Sequence, residues 1–138
     1  MGKGFNVDHV VICEKGIYTI ETKTYSKSSS GKSIIQFDGE TIKVNGKLME
    51  RDAVEQAKSQ AYWIGEVLQE STGKSLPVKP VVVFPGWYVE RAKGKDTTAL
   101  WVLNPKALPS FIGNEPQRIA TDDVKLVAYH LSRYIRTS

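Results

Sequence analysis

The pattern of apolar positions predicts a β-sheet in the first half of the chain. The β-branched runs VDHVVIC and IYTIET are separated by a short polar segment, which is typical of a hairpin. Asp38-Gly39 and Asn45-Gly46 are strong turn signals and predict further hairpin strands around them. The run VKPVVVF is continuously apolar between prolines and predicts a central strand, and ALWVLN predicts a further strand.

Two other segments have the periodicity of amphipathic helices. The first helix begins near Asp52, and Gly73 suits its end. Its apolar stripe recurs every three or four positions and consists of Val54, Ala57, Ala61, Ile64 and Leu68. A second helix is predicted over residues 122–135. At 138 residues the chain is long enough to bury a core, and we predict a single α/β domain over residues 1–138.

Composition excludes several classes of protein and adds little positive information. A single cysteine excludes an intramolecular disulfide framework and a cysteine-based zinc site. No apolar run reaches membrane-spanning length, and the N-terminus lacks a secretory signal pattern, so we expect a cytoplasmic protein without a membrane partner. The formal net charge of +4 mildly favours an anionic partner.

Charged side chains lie at the ends of the predicted hairpin, where a buried sheet face excludes unpaired charge. Side chains alternate along a strand, so Glu21 and Lys23 project from the same face. Asp8 joins that face if the hairpin loop has an even residue count. A two-residue turn at Lys15-Gly16 sets Asp8 opposite Lys23, and a four-residue turn sets it opposite Glu21.

Two carboxylates beside a lysine have a definite use in phosphate chemistry. Asp8 and Glu21 would supply the hard oxygen ligands that Mg²⁺ prefers, with the Thr22 backbone carbonyl as a further ligand. Lys23 would orient a water or stabilise developing negative charge. An acid-x-Lys triplet alone is weak, because a second one occurs at residues 123–125. The competing interpretation is a surface salt-bridge cluster of little energetic value.

The order of these motifs resembles the nuclease-related domain (NERD) of the PD-(D/E)xK nuclease superfamily. VDHVVI, GIYTIETK, RDAVEQAKSQA and VKPVVVF carry the resemblance, which extends from about Val7 to Phe84. The resemblance implies a restriction-endonuclease-like α/β fold, in which helices flank a mixed central sheet. It also implies hydrolysis of phosphodiester bonds in a nucleic acid, foremost DNA, with Mg²⁺ as cofactor and Mn²⁺ able to substitute.

The resemblance also assigns roles to individual residues. Asp8 and Glu21 become metal ligands, Lys23 orients the attacking water, and Gln56 matches a glutamine that such domains place on the following helix. Similar domains begin with an additional helix, whereas only residues 1–6 precede the first predicted strand. We therefore expect that helix to be missing: either the chain is a trimmed or divergent member of the family, or a homo-oligomer covers the exposed sheet face. The alternative function is a catalytically weak module on the same fold that binds nucleic acid or another protein.

Overall fold

A computed structural model of the chain describes residues 9–25, 33–48, 52–92 and 99–132. The strands are β1 His9–Cys13, β2 Gly16–Thr22, β3 Ile34–Phe37, β4 Ile42–Val44, β5 Lys47–Leu48, β6 Val78–Val83, β7 Tyr88–Arg91 and β8 Trp101–Leu103. The α-helices are α1 Asp52–Thr72, α2 Leu108–Gly113 and α3 Thr121–Leu131. The predicted α/β class with a mixed sheet and flanking helices is confirmed.

The first sheet has the strand order β1-β2-β6-β8 and is mixed. β1 runs antiparallel to β2, whereas β6 runs parallel to both β2 and β8. Residues 80–83 of β6 are buried, as expected for a strand with neighbours on both sides. The continuous apolar run that predicted a central strand is therefore confirmed.

The second sheet has the order β5-β4-β3-β7 and contains a strand that the apolar pattern did not reveal. Asn45 and Gly46 join β4 to β5 with φ angles of 49° and 85°, the two positive values that a type I′ turn requires. That predicted hairpin is confirmed. β7 pairs in parallel with β3, although the two strands lie far apart in the chain.

The Asp38-Gly39 turn between β3 and β4 is stabilised by one carboxylate. Asp38 Oδ1 accepts hydrogen bonds from the backbone N–H groups of Glu40 and Thr41, and Oδ2 accepts one from Thr41 Oγ1 at 2.9 Å. These bonds favour the charged form, so they lower the pKa of Asp38 to about 2. The sequence signal for this turn therefore reflects an Asx-type arrangement.

We expect Asp38→Ala to lower the free energy of unfolding by about 1 kcal/mol near neutral pH. Hydrogen bonds at exposed positions contribute little more than this to the stability of a fold. A carboxylate whose pKa is depressed stabilises the fold above its unfolded pKa of about 3.9, and this contribution is lost as pH falls through about 2. Urea unfolding at a series of pH values should show the deficit shrinking across that window. Glu40→Ala, at an exposed neighbour, serves as the control, and a deficit that does not change with pH would contradict the assignment.

Helix α1 packs against one face of the first sheet through two groups of core residues. Near its beginning, Val54 and Ala57 lie in one core cluster with Val82 and Phe84. Nearer its end, Ile64 and Leu68 pack with residues of β2 and α3. All five members of the predicted apolar stripe are buried, and Gly73 ends the helix with a φ of 74°.

The opposite face of the first sheet is packed by α2. Leu108, Phe111 and Ile112 contact a buried cluster there, in which Tyr18 stacks on Trp101 with ring centroids 5.4 Å apart. Burial, assisted by the charge of Glu115, raises the pKa of Tyr18 to about 12, so its phenol stays neutral. The homo-oligomer that would cover an exposed sheet face stays a prediction. Because α2 already packs on this face, there is less reason to expect such an oligomer.

Within the described ranges, no helix combines the length and the apolar character that crossing a membrane requires.

Candidate active site

The hairpin of β1 and β2 has a defined register. Cys13 pairs with Gly16 across the turn, and the last described pair is His9 with Ile20. The two turn residues are thus Glu14 and Lys15, and the predicted two-residue turn at Lys15-Gly16 is wrong because Gly16 pairs within β2. Asp8 itself lies outside the described residues.

Glu21 is a buried carboxylate near the end of β2. Its residue is 7% exposed, and it pairs with Val82 on the parallel strand β6. Paired residues on neighbouring strands project from the same face of a sheet, and Val82 packs with Val54 of α1. Glu21 therefore lies on the face that α1 covers.

Lys23 lies directly beside this carboxylate. Its Nζ is 2.8 Å from Glu21 Oε2, which confirms that the two side chains share a face. The backbone N–H of Lys23 donates to the carbonyl of Val83 at 2.9 Å, so the strand pairing extends past the end of β2. The Lys23 side chain is 29% exposed, and the ammonium group is thus held between a buried acid and solvent.

One oxygen of Glu21 has no hydrogen-bond partner within the described part of the chain. The buried atom Oε1 finds no donor among the residues that the structure describes, although Oε2 is paired with Lys23. Leaving a buried polar atom unpaired destabilises a fold by about 1–3 kcal/mol, and more for a charged group. A cation at Oε1 would supply the missing interaction, so this oxygen fits the donor chemistry of a Mg²⁺ site.

Thr22 lies between the two charged residues and is exposed. The N–H groups of Ile17 and Lys23 donate toward β6. Backbone groups alternate in direction along a strand, so Thr22 directs its carbonyl toward the β1 side.

Two glutamines lie one turn apart on α1. Gln56 is exposed and Gln60 is buried, with 3% of its surface accessible. Both lie on the same edge of the helix as Trp63, which packs against the core cluster that contains Ile17 of β2. Gln56 is also next in the chain to Ala57, which lies in the same core cluster as Val82. It therefore lies toward the end of β2 that carries Glu21.

The predicted apolar stripe of α1 does not include Gln60, whereas the structure places this residue within the buried surface of the helix. A signal was present, because the buried positions Ala53, Ala57, Gln60, Ile64 and Val67 alternate spacings of four and three residues. Thr19 is likewise buried and shares the face of Glu21, so this part of the sheet contains several polar groups under α1.

The described ranges contain no cluster of three or more histidine, cysteine, aspartate or glutamate residues that could bind a metal. Of the two predicted acidic ligands, Glu21 lies within those ranges and Asp8 falls outside them. His9, the next residue in the chain, is exposed.

Comparison with known proteins gives one match. The family model described as nuclease-related domain matches residues 1–85, which is more than half of the chain. The matched range contains β1, β2, α1 and β6, and with them Glu21, Lys23 and both glutamines. Searches of curated proteins and of solved structures returned no match.

Proposed function

This chain belongs to the nuclease-related domain family, and on that basis we propose that it is a metal-dependent nuclease domain that hydrolyses phosphodiester bonds in DNA. The family establishes a relation to nucleases. The metal, the substrate and the roles of individual residues are our proposal.

The buried carboxylate of Glu21 is the observation that carries this proposal. One of its oxygens is paired with Lys23, and the other is buried without a partner among the described residues. A structural salt bridge has no need of such an oxygen, and burial makes it energetically unfavourable. A ligand site for a divalent cation accounts for both its burial and its lack of a partner.

Different residues of the chain have different roles in the proposed hydrolysis. Glu21 and Asp8 would hold a Mg²⁺ ion, which would lower the pKa of a bound water and offset negative charge on the phosphate. Lys23 Nζ, fixed by Glu21 Oε2, donates a hydrogen bond to the attacking water or to a phosphate oxygen. Because Lys23 is partly exposed, its ammonium group can reach a phosphate that approaches from solvent.

Three further residues complete the proposed site. Asp8, the residue before β1 in the chain, acts as the second carboxylate ligand from the β1 side of β2. The carbonyl of Thr22 acts as an additional ligand from the same side. Gln56 acts from the beginning of α1, where the neighbouring Ala57 shares a core cluster with Val82, the strand neighbour of Glu21.

We expect Lys23→Ala to reduce cleavage of plasmid and single-stranded DNA about 100-fold, because one preorganised donor contributes about that much to the rate. Cleavage by the unaltered chain should require Mg²⁺ or Mn²⁺ and stop in EDTA. Gel assays of supercoiled plasmid and of a labelled oligonucleotide measure both effects.

Lys58→Ala is the matched control, because Lys58 is exposed on α1 and lies on the edge of that helix away from β2. It should cut DNA at the rate of the unaltered chain. A folded chain that binds DNA equally well with and without Lys23, and cuts it under none of these conditions, would refute the nuclease and favour the binding module.

A further inference from the structure

Tyr25 is an exposed aromatic residue close to the proposed site. It follows Lys23 by two residues, and 41% of its surface is accessible. Two residues of extended chain span at most about 7 Å, so Tyr25 lies within one nucleotide's reach of Lys23.

The ring of Tyr25 is held in place on the side that faces the protein. It stacks on Phe84, with ring centroids 6.1 Å apart and planes inclined by 25°. Its backbone carbonyl accepts a hydrogen bond from Trp87 Nε1 at 3.3 Å. Phe84 and Trp87 are both buried, so the exposed ring of Tyr25 packs against core residues.

The position of Tyr25 relative to the sheet is also defined. Phe84 lies in the core cluster that contains Val82, and Val82 is the strand neighbour of Glu21. Tyr25 therefore lies on the same side of the first sheet as Glu21 and Lys23. A DNA strand with its phosphate at Lys23 would have a base close to this ring.

We propose that Tyr25 stacks on a nucleobase next to the phosphate that is cleaved, and that the site therefore selects single-stranded or frayed DNA over intact duplex. This inference rests on the proposed function. Every base has a π-face, so stacking on an aromatic residue tolerates any sequence. Bases inside a duplex must first unstack, which opposes binding.

The test compares binding of a single-stranded oligonucleotide by Tyr25→Ala, Tyr25→Leu and Tyr25→Phe in EDTA, where the strand stays intact. Tyr25→Leu retains an apolar group over Phe84 and guards against unfolding of the alanine variant. Loss of one aromatic stack should weaken binding about 10-fold in the alanine and leucine variants, whereas phenylalanine should keep it. Tyr62→Ala is the control, because Tyr62 is 71% exposed on α1 and should leave binding unchanged.

A series of oligonucleotides with single abasic sites identifies the stacked base. In the unaltered chain, one abasic position should weaken binding about as much as Tyr25→Leu does, and the two changes together should add nothing further. The inference is overturned if a Tyr25 substitution weakens the binding of intact duplex and of single strand equally. It is also overturned if the effect of the substitution on binding adds to that of every abasic position. If the unaltered chain neither binds nor cuts DNA, the proposed function itself fails, which is a different result from normal cutting that ignores Tyr25.

Discussion

Glu21→Gln should lower metal-dependent cleavage of DNA by about 1,000-fold or more while the protein stays folded. Loss of a metal ligand removes several kcal/mol of transition-state stabilisation, and each 1.36 kcal/mol corresponds to about tenfold in rate. The fold should tolerate the change, because a neutral amide is easier to bury than a carboxylate, of which one oxygen finds no partner among the described residues. We expect the free energy of unfolding without metal to change by no more than about 1 kcal/mol.

Thermal unfolding with and without Mg²⁺ separates this prediction from simple damage to the fold. A ligand that binds the native state raises the melting temperature with its concentration, so Mg²⁺ should stabilise the unaltered chain and leave Glu21→Gln unaffected. Glu70→Gln, at an exposed position of α1, should respond to Mg²⁺ like the unaltered chain. Equal Mg²⁺ stabilisation in both variants would place the metal elsewhere.

Trp87→Ala should lower the free energy of unfolding by about 3–5 kcal/mol, a large part of the 5–15 kcal/mol that holds a typical domain together. Trp87 is 2% exposed and lies in the core cluster shared by both sheets. Its Nε1 donates to the carbonyl of Tyr25, and its own carbonyl accepts from Asn104 Nδ2 at 2.8 Å. The alanine variant therefore loses the packing between the sheets and the Nε1 hydrogen bond to Tyr25, whereas the backbone carbonyl that accepts from Asn104 remains.

Chemical denaturation of two further variants shows which part of Trp87 matters. Tyr88→Ala, at the exposed neighbouring residue, should change stability by less than about 0.5 kcal/mol. Trp87→Phe keeps most of the buried surface and loses the Nε1 bond, so a deficit of about 1 kcal/mol is expected. Similar deficits in all three variants would contradict a role for Trp87 in joining the sheets.

The sequence revealed those elements whose burial pattern is visible locally. β6 has an apolar run of strand length, and the α1 stripe repeats at helical spacing, so both could be predicted. β7 could not, because Tyr88, Glu90 and Arg91 are exposed and the strand depends on a distant partner. Helix α2 is too short to show a repeating apolar pattern, and its packing on Trp101 becomes apparent only in three dimensions.

The candidate site was predictable to the extent that it depends on strand alternation. The period of two correctly placed Glu21 and Lys23 on one face, as their 2.8 Å contact shows. The sequence did not decide the hairpin register, because Lys15 and Gly16 are compatible with turns of more than one length. The pairing between β1 and β2 in the structure decides it. Burial of Gln60 was not predictable from its polarity, since a buried amide depends on partners that a sequence does not show.

The parallel pairing of β3 with β7 has a consequence for how a minimal fragment could be defined. The family match ends at residue 85, before β7, β8 and α3, yet Leu100 and Val102 share a core cluster with Val54. A truncation at that boundary would divide one hydrophobic core and leave the backbone groups of β3 and β6 open to pairing with other chains, a known route to aggregation. The sequence signature of the family and the cooperative folding unit are therefore different lengths of this chain.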